Sequence, residues 1–368
     1  MKVLGIMTGT SLDGVDCCYA DIEVSNSYNF KYKIIDSFTF SFNQKVLNNI
    51  KNSINNRSLE NIKIADESLG KYLSIVSLKF IKNRPLELIS IHGQTIFHLD
   101  KVKSIQVGNP KYLFSQFNIP VIYNFRFKDI MLGGTGAPLM PFLDWLLYKS
   151  LKNNVITLNI GGISNITYIP KNSSRNDVLG FDTGPGMCLI DNYVKIMYND
   201  DIDYNAKYSK NGKINSKLLK LLLNDSFLYK KPPKSLSVDY YVNDYLFNLI
   251  EKFKNINNED FLRTLVNYSV KSIEYNINQF IPKSESKYFI ISGGGIRHPL
   301  ILNDIKNTFY NYSVMECNLT NAASDFKESI LMAVMGYTCY YEISNNMPSV
   351  TGAERDDVYG IIYEWKYL

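Results

Sequence analysis

One order of local elements occurs twice in this chain, and it limits the possible folds more than any other feature of the sequence. From Val3 an apolar run (3–7) leads into the glycine-containing turn 8–14, a second apolar run (15–24) and a third extended stretch (32–42). From Val155 the run 155–160 leads into Gly161-Gly-Ile-Ser-Asn165, a return run (166–169) and a third stretch (177–181). Helical periodicity follows each copy. Residues 46–55 and 66–81 follow the first, the latter with Leu69, Leu73, Val76 and Phe80 on one face, and residues 259–280 follow the second. Strand meanders alternating with amphipathic helices predict an α/β architecture built twice. The copies share no obvious residue identity, so what repeats is the organisation.

Length and composition narrow the class. A chain of 368 residues is long enough for two domains with separate cores. No window holds ~18 consecutive apolar residues, which argues against a helical membrane span. A glycine turn arrives by Gly9, leaving no apolar stretch of signal-peptide length, so the sequence predicts a cytosolic protein. The five cysteines are odd in number and lack CxxC spacing, as expected for reduced, buried thiols rather than a disulfide or zinc framework. The net charge of +5 comes from scattered lysines, which gives no support for a nucleic-acid partner.

The polar residues that punctuate these elements carry the chemistry. Gly180-Phe-Asp-Thr-Gly-Pro-Gly186 places Asp182 after a strand and before a turn in which glycine and proline leave the backbone few alternatives. Two roles are open to it from local chemistry: cap of a helix beginning near Pro185, or an acid aimed at a ligand. Thr8-Gly-Thr-Ser-Leu-Asp-Gly14 is either a plain hairpin loop or a nest of backbone N–H groups for an anion. His92-Gly-Gln-Thr95 closes a strand, where histidine is either a structural hydrogen-bonder or a ligand contact. Gly133-Gly-Thr-Gly-Ala-Pro-Leu139 suggests either a hinge or a close backbone approach to a ligand, and marks the expected seam between the halves. Ser292-Gly-Gly-Gly295 opens a helix after a strand, and Glu328 lies in the first turn of a helix over 325–342. The outer face of that helix (Val334, Tyr337, Tyr340, Tyr341) is either core or interface. Together the two glycine hairpins, the acid and the triple glycine suggest a bound nucleotide and phosphoryl transfer, which needs positioning and charge neutralisation more than covalent help.

These segments also resemble a known family. Gly5-Ile-Met-Thr-Gly-Thr-Ser-Leu-Asp-Gly-Val-Asp16, His92-Gly-Gln-Thr95, Gln106-Val-Gly108, Phe125-Arg126 with Asp129, Gly133-Gly-Thr-Gly-Ala-Pro-Leu139, Asn159-Ile-Gly-Gly-Ile-Ser-Asn-Ile166, Phe181-Asp-Thr-Gly-Pro185, Ser292-Gly-Gly-Gly295 and Pro348-Ser-Val-Thr-Gly-Ala353 are similar, in order, to the signature segments of the anhydro-N-acetylmuramic acid kinases. The resemblance implies a duplicated actin-like (ribonuclease H-like) ATPase fold with two domains around a nucleotide cleft. The expected boundaries are 1–130 plus 345–368 for one domain and 131–344 for the other. It also implies hydrolysis of the 1,6-anhydro bridge of the sugar coupled to phosphorylation at O6, with ATP and Mg²⁺, in a homodimer.

Carried over residue by residue, Asp182 becomes the general base. Gly9, Thr10, Ser11, Leu12, Asp13, Gly14, Val15 and Asp16 would contact the ATP phosphates, and Gly161, Gly162, Gly293, Gly294 and Gly295 would complete the nucleotide site. Thr95, Arg126 and Glu328 would hold the sugar, and no metal ligand is identified. The chain departs from the family pattern at Thr8, Asn124, Met187 and His298, which bears on sugar specificity and efficiency more than on fold. Two other functions fit the same residues: a kinase for a different sugar or polyol, and a slow nucleotide-regulated binding ATPase.

Overall fold

The computed structural model describes residues 1–9, 12–242, 244–283, 287–317 and 326–364. The chain forms two compact units, Met1–Leu147 with Asn318–Leu368, and Tyr148–Cys317. Strands in the first part of the chain are β1 (Lys2–Thr8), β2 (Val15–Val24), β3 (Phe30–Phe40), β4 (Leu88–Ile91), β5 (Gln94–Leu99), β6 (Lys103–Val107) and β7 (Val121–Tyr123). The second unit contributes β8 (Asn154–Ile160), β9 (Ile163–Ile169), β10 (Leu179–Pro185), β11 (Lys287–Ser292) and β12 (Ser313–Glu316), and the returning segment ends in β13 (Ile361–Tyr363).

The doubled pattern folds as one topology used twice. The first sheet runs β13-β7-β4-β1-β2-β3 and the second β10-β9-β8-β11-β12. In each unit a three-stranded antiparallel meander, β1-β2-β3 or β8-β9-β10, is extended by two parallel strands on the far side of its first strand. A parallel neighbour needs a crossover, and each unit makes it with helices. Leu59–Ile81 lies between β3 and β4, and Asn258–Phe280 between β10 and β11.

The first strand of each unit is apolar almost throughout because both of its faces are covered. In β1, Leu4 and Ile6 join Leu69, Leu73 and Val76 of the Leu59–Ile81 helix in one core. Gly5 meets the opposite layer: a Cβ there would stand 2.0 Å from the Ser329 carbonyl oxygen. That layer is the Lys327–Tyr340 helix, which packs equally closely on β4, where a Cβ on Gly336 would lie 2.4 Å from the Ser90 Cβ. In the second unit Ile156, Leu158, Phe289 and Ile291 pack with Leu262 and Leu265 of the long helix.

The units divide at Leu147/Tyr148 and Cys317/Asn318, so the expected boundaries at 130/131 and 344/345 are corrected at both ends. The Gly133–Pro138 loop is not the seam, since it is folded against residues of the first unit. Val334 and Tyr337 are core, as one of the two expectations for this helix held, whereas Tyr340 and Tyr341 are 38% and 50% exposed. All five cysteines are buried and free. Among the described residues no helix is long and apolar enough to cross a membrane.

Candidate active site

In the second unit Asp182 is part of β10 rather than the residue after it, and only 8% of it is exposed. The pairing of β10 with β9 shifts between Asp182 and Gly184, so the acid sits at a bulge, a feature that re-aims side chains. Several contacts fix that bulge. The Thr183 hydroxyl meets the Ser164 hydroxyl at 2.7 Å, and the Asn276 side chain donates to the Thr183 carbonyl at 2.9 Å. The Asp182 N–H donates to the Lys234 carbonyl at 3.2 Å, and its Oδ2 accepts from the Leu236 N–H at 2.7 Å.

The helix-cap alternative for Asp182 does not hold. The following helix begins at Cys188, and its first N–H groups are satisfied by the other glycine turn. Gly186 and Cys188 donate to the Gly162 carbonyl at 2.9 and 3.1 Å, and Met187 donates to Gly161 at 2.8 Å. Gly161 and Gly162 therefore present carbonyls to this helix, and a Cβ on Gly186 would lie 2.2 Å from the Gly161 oxygen. Met187 supplies apolar packing at the helix start.

The triple glycine is not uniform. Gly293 has φ +91°, and a Cβ there would be 2.6 Å from the Ile160 oxygen, while one on Gly295 would be 2.3 Å from Ile160 Cγ2. These two are required by packing against the end of β8. Gly294 is different: a Cβ there would meet nothing within 4 Å. His298 has a structural task, its Nδ1 accepting from Ile301 N–H at the start of the next helix while Nε2 faces Asp203 at 3.1 Å.

In the first unit the β1–β2 hairpin closes with Leu12 N–H donating to Gly9 at 3.2 Å and Leu12 at φ 60°. Thr10 and Ser11 lie outside the described residues. Gly14 is packed against β3, where a Cβ would stand 2.5 Å from the Phe40 oxygen. Thr8 is buried, and its hydroxyl has no hydrogen-bond partner among the described residues. Val15 is buried at the start of β2, Asp13 is exposed, and Asp16 accepts from the Thr39 hydroxyl at 2.5 Å.

Arg126 and His92, remote in sequence, are joined. The Arg126 Nε donates to His92 Nε2 at 2.9 Å, and His92 Nδ1 faces the Gly93 carbonyl at 2.7 Å. Only a neutral ring with its proton on Nδ1 satisfies both. Burial, and next the Arg126 charge, hold the imidazole down at about 3. Arg126 Nη1 also donates to the Gly136 carbonyl at 2.7 Å. Gly136 is at φ +78°, and its N–H donates to Asp129 Oδ2 at 2.6 Å.

Asp129 is wholly buried and is the post around which the glycine loop wraps. Its Oδ1 accepts from Thr351 and Tyr359 hydroxyls, both at 2.6 Å. Gly134 passes so close that a Cβ would lie 2.3 Å from Oδ2. Two of its three donors come from residues over two hundred positions away, so no local signal marks it beyond the Phe125-Arg126…Asp129 spacing. Asn124 precedes the Phe125–Met131 helix in the left-handed region (φ 59°), which an asparagine tolerates well.

Glu328 belongs to the same electrostatic group as Arg126 and Asp16. Burial, and then the Asp16 carboxylate, push its carboxyl above the usual range, with Arg126 and Lys327 opposing. Its neighbour Lys327 is committed elsewhere, in a buried pair with Asp144 at 2.5 Å. The Thr95 hydroxyl accepts from Gln106 at 3.1 Å across the β5–β6 pair. The first unit thus gathers Arg126, Glu328 and Asp16 as one group, and the second unit holds Asp182 and Gly294. Among the described residues no three His, Cys, Asp or Glu side chains cluster as a metal cage.

The family model for anhydro-N-acetylmuramic acid kinase matches residues 1–365. An anhydro-N-acetylmuramic acid kinase of Clostridioides difficile (strain 630) is 34% identical, with 98% of each chain covered. One of Bacillus cereus (strain AH187) is 31% identical, again over 98% of each chain. One of Francisella tularensis subsp. novicida (strain U112) is 32% identical over 98% of this chain and 97% of its own. With the doubled topology, an acid fixed on a bulged strand and a match along nearly the whole length, the chain belongs to the anhydro-N-acetylmuramic acid kinase family of ATP-dependent sugar kinases.

Proposed function

We propose that this enzyme opens the 1,6-anhydro bridge of 1,6-anhydro-N-acetylmuramic acid and phosphorylates O6, with Asp182 as general base. What carries the reading is the setting of Asp182: a nearly buried carboxylate on a strand bulge, aimed by the Leu236 N–H rather than spent on a helix end. The carboxylate takes a proton from a water as that water's oxygen bonds to C1. The C1–O6 bond breaks, O6 bonds to the γ-phosphorus, and ADP leaves with the electron pair of the broken P–O bond. One base thereby triggers both bond changes.

Arg126, oriented by His92 and Gly136, suits the lactyl carboxylate of the sugar, and Thr95 and Glu328 complete its binding. In the first unit the Thr8 hydroxyl, without a partner among the described residues, suits nucleotide phosphates contacted by Gly9–Asp16; in the second, the open face of Gly294 suits nucleotide contact by Gly161–Gly162 and Gly293–Gly295. Mg²⁺, carried on the ATP phosphates, would neutralise their charge. The protein is further proposed to be cytoplasmic and a homodimer, the exposed Tyr340 and Tyr341 being candidates for the contact.

Asp182→Asn is expected to lower turnover at least ~10² while leaving ATP affinity within a few-fold. Near-wild-type turnover would remove the mechanism. In ¹⁸O-water the product should gain one ¹⁸O at C1 together with one phosphoryl group. A product carrying the phosphoryl group alone would point instead to a kinase for a different hydroxyl.

A further inference from the structure

The loop that holds Asp182 is itself held by an unusual side chain. Lys234 is 5% exposed. Its Nζ donates to the carbonyls of Leu228 and Phe227 at 3.1 and 3.3 Å. The ammonium lies 4.7 Å from the ring centre of Phe227, 5.0 Å from Phe280 and 5.8 Å from Phe181. Three aromatic faces and two carbonyls make a cage that suits a cation. The same residue's main-chain carbonyl receives the Asp182 N–H, and two residues on, Leu236 N–H reaches the Asp182 carboxylate.

We infer that Lys234 is a positioning residue for the reaction: its caged ammonium pins the Lys234–Leu236 segment that aims Asp182, and sets a positive charge beside that carboxylate. The inference rests on Asp182 being the base. Burying an ammonium is unfavourable unless its charge is used or matched, and no carboxylate in contact neutralises it by a salt bridge among the described residues. The charged groups that face it are Asp182 and Asp225, which favour the ammonium, and Lys230, which opposes it. Burial, the largest influence, brings the group down to about 8, so the cage empties of charge within reach of an ordinary assay. Loss of that proton removes the third donor and the cation–ring attraction, and frees the segment that aims the base.

The test is a pH profile of the full-length enzyme from pH 6 to 10 with ATP and the anhydro sugar. The wild type should lose kcat on the alkaline side with a midpoint near 8. Lys234→Arg, which keeps the charge and cannot lose it in this range, should move that fall beyond pH 10. Lys234→Met should lower kcat at least ~10-fold at pH 7 with the KM for ATP within about threefold, and lack the alkaline fall. An unchanged midpoint in Lys234→Arg would overturn the inference. Should either variant fail to fold, ¹³C-lysine NMR of the wild type decides: one lysine titrating near 8 supports the assignment, and all of them titrating above 10 refutes it. Asp182→Asn measured alongside separates the two ideas. If it stays active the base assignment fails, whereas if it is inactive and the Lys234→Arg midpoint is unchanged, only the role of Lys234 fails.

Discussion

Lowering the pH from 7 to 5 should destabilise the first unit by about 2 kcal/mol through His92 alone. In the unfolded chain the imidazole titrates near its ordinary 6.5, while in the fold burial and Arg126 keep it neutral down to about 3. Between those values the unfolded state binds the extra proton, so stability is full above 6.5 and is lost progressively as the pH falls toward 3. At pH 7 the difference is near zero. At pH 5 the unfolded ring is almost fully charged and the folded ring is not, giving about 1.4 kcal/mol for each unit below 6.5. Urea unfolding followed by tryptophan fluorescence reports this unit, since Trp145 and Trp365 both belong to its sequence. His92→Gln removes the titrating group, and the wild-type and variant stabilities should converge by about 2 kcal/mol on going from pH 7 to pH 5. Parallel curves would refute the neutral, Arg126-bonded imidazole. Because the folded ring does not titrate above about 3, kcat should show no acid limb near 6.5 assignable to His92.

Three further outcomes follow from the geometry. Asp129→Asn sets an amide donor against one of three donors, and should cost about 1–3 kcal/mol in urea unfolding. Arg126→Lys cannot reproduce the bonds to His92 and Gly136, and should raise the KM for the sugar ~10–100-fold with that for ATP unchanged in steady-state assays. Gly294→Ala should leave stability within about 0.5 kcal/mol yet raise the KM for ATP, whereas Gly293→Ala, at φ +91° against the Ile160 oxygen, should destabilise the fold by about 2 kcal/mol or more. Equal effects of the two alanines on both measurements would contradict the nucleotide role given to Gly294.

Periodicity was a good guide where one element buries one face. It located the two meanders and the long helices because alternating or 3.6-spaced apolar residues report a local surface. It misplaced Asp182, read as following a strand, because the glycine and proline at 184–185 look like a turn and are instead the paired end of β10. It misplaced the domain boundary because the partners of the Lys327–Tyr340 helix are Gly5 and Ser90, hundreds of positions earlier, and a close approach leaves only a glycine in the sequence. The same holds in the site. Arg126 and Glu328 are candidates through family resemblance alone, while the His92 bond that orients Arg126 spans 34 positions, and Asp129 depends on hydroxyls of Thr351 and Tyr359. Lys234 has no sequence signal, since one lysine among 40 basic residues carries no mark until its cage is assembled.

The return of the Lys327–Tyr340 helix to β1 sets an order of events during synthesis. The second unit is one uninterrupted stretch and can close once Cys317 has left the ribosome, whereas the sheet begun by Lys2 lacks one of its two covering layers until Lys327–Tyr340 has been made. Nascent chains arrested with residue 317 just clear of the ribosome are therefore expected to resist protease across 148–317 while remaining cleavable in the earlier segment. The strand that opens the first sheet is thus among the last parts to be secured.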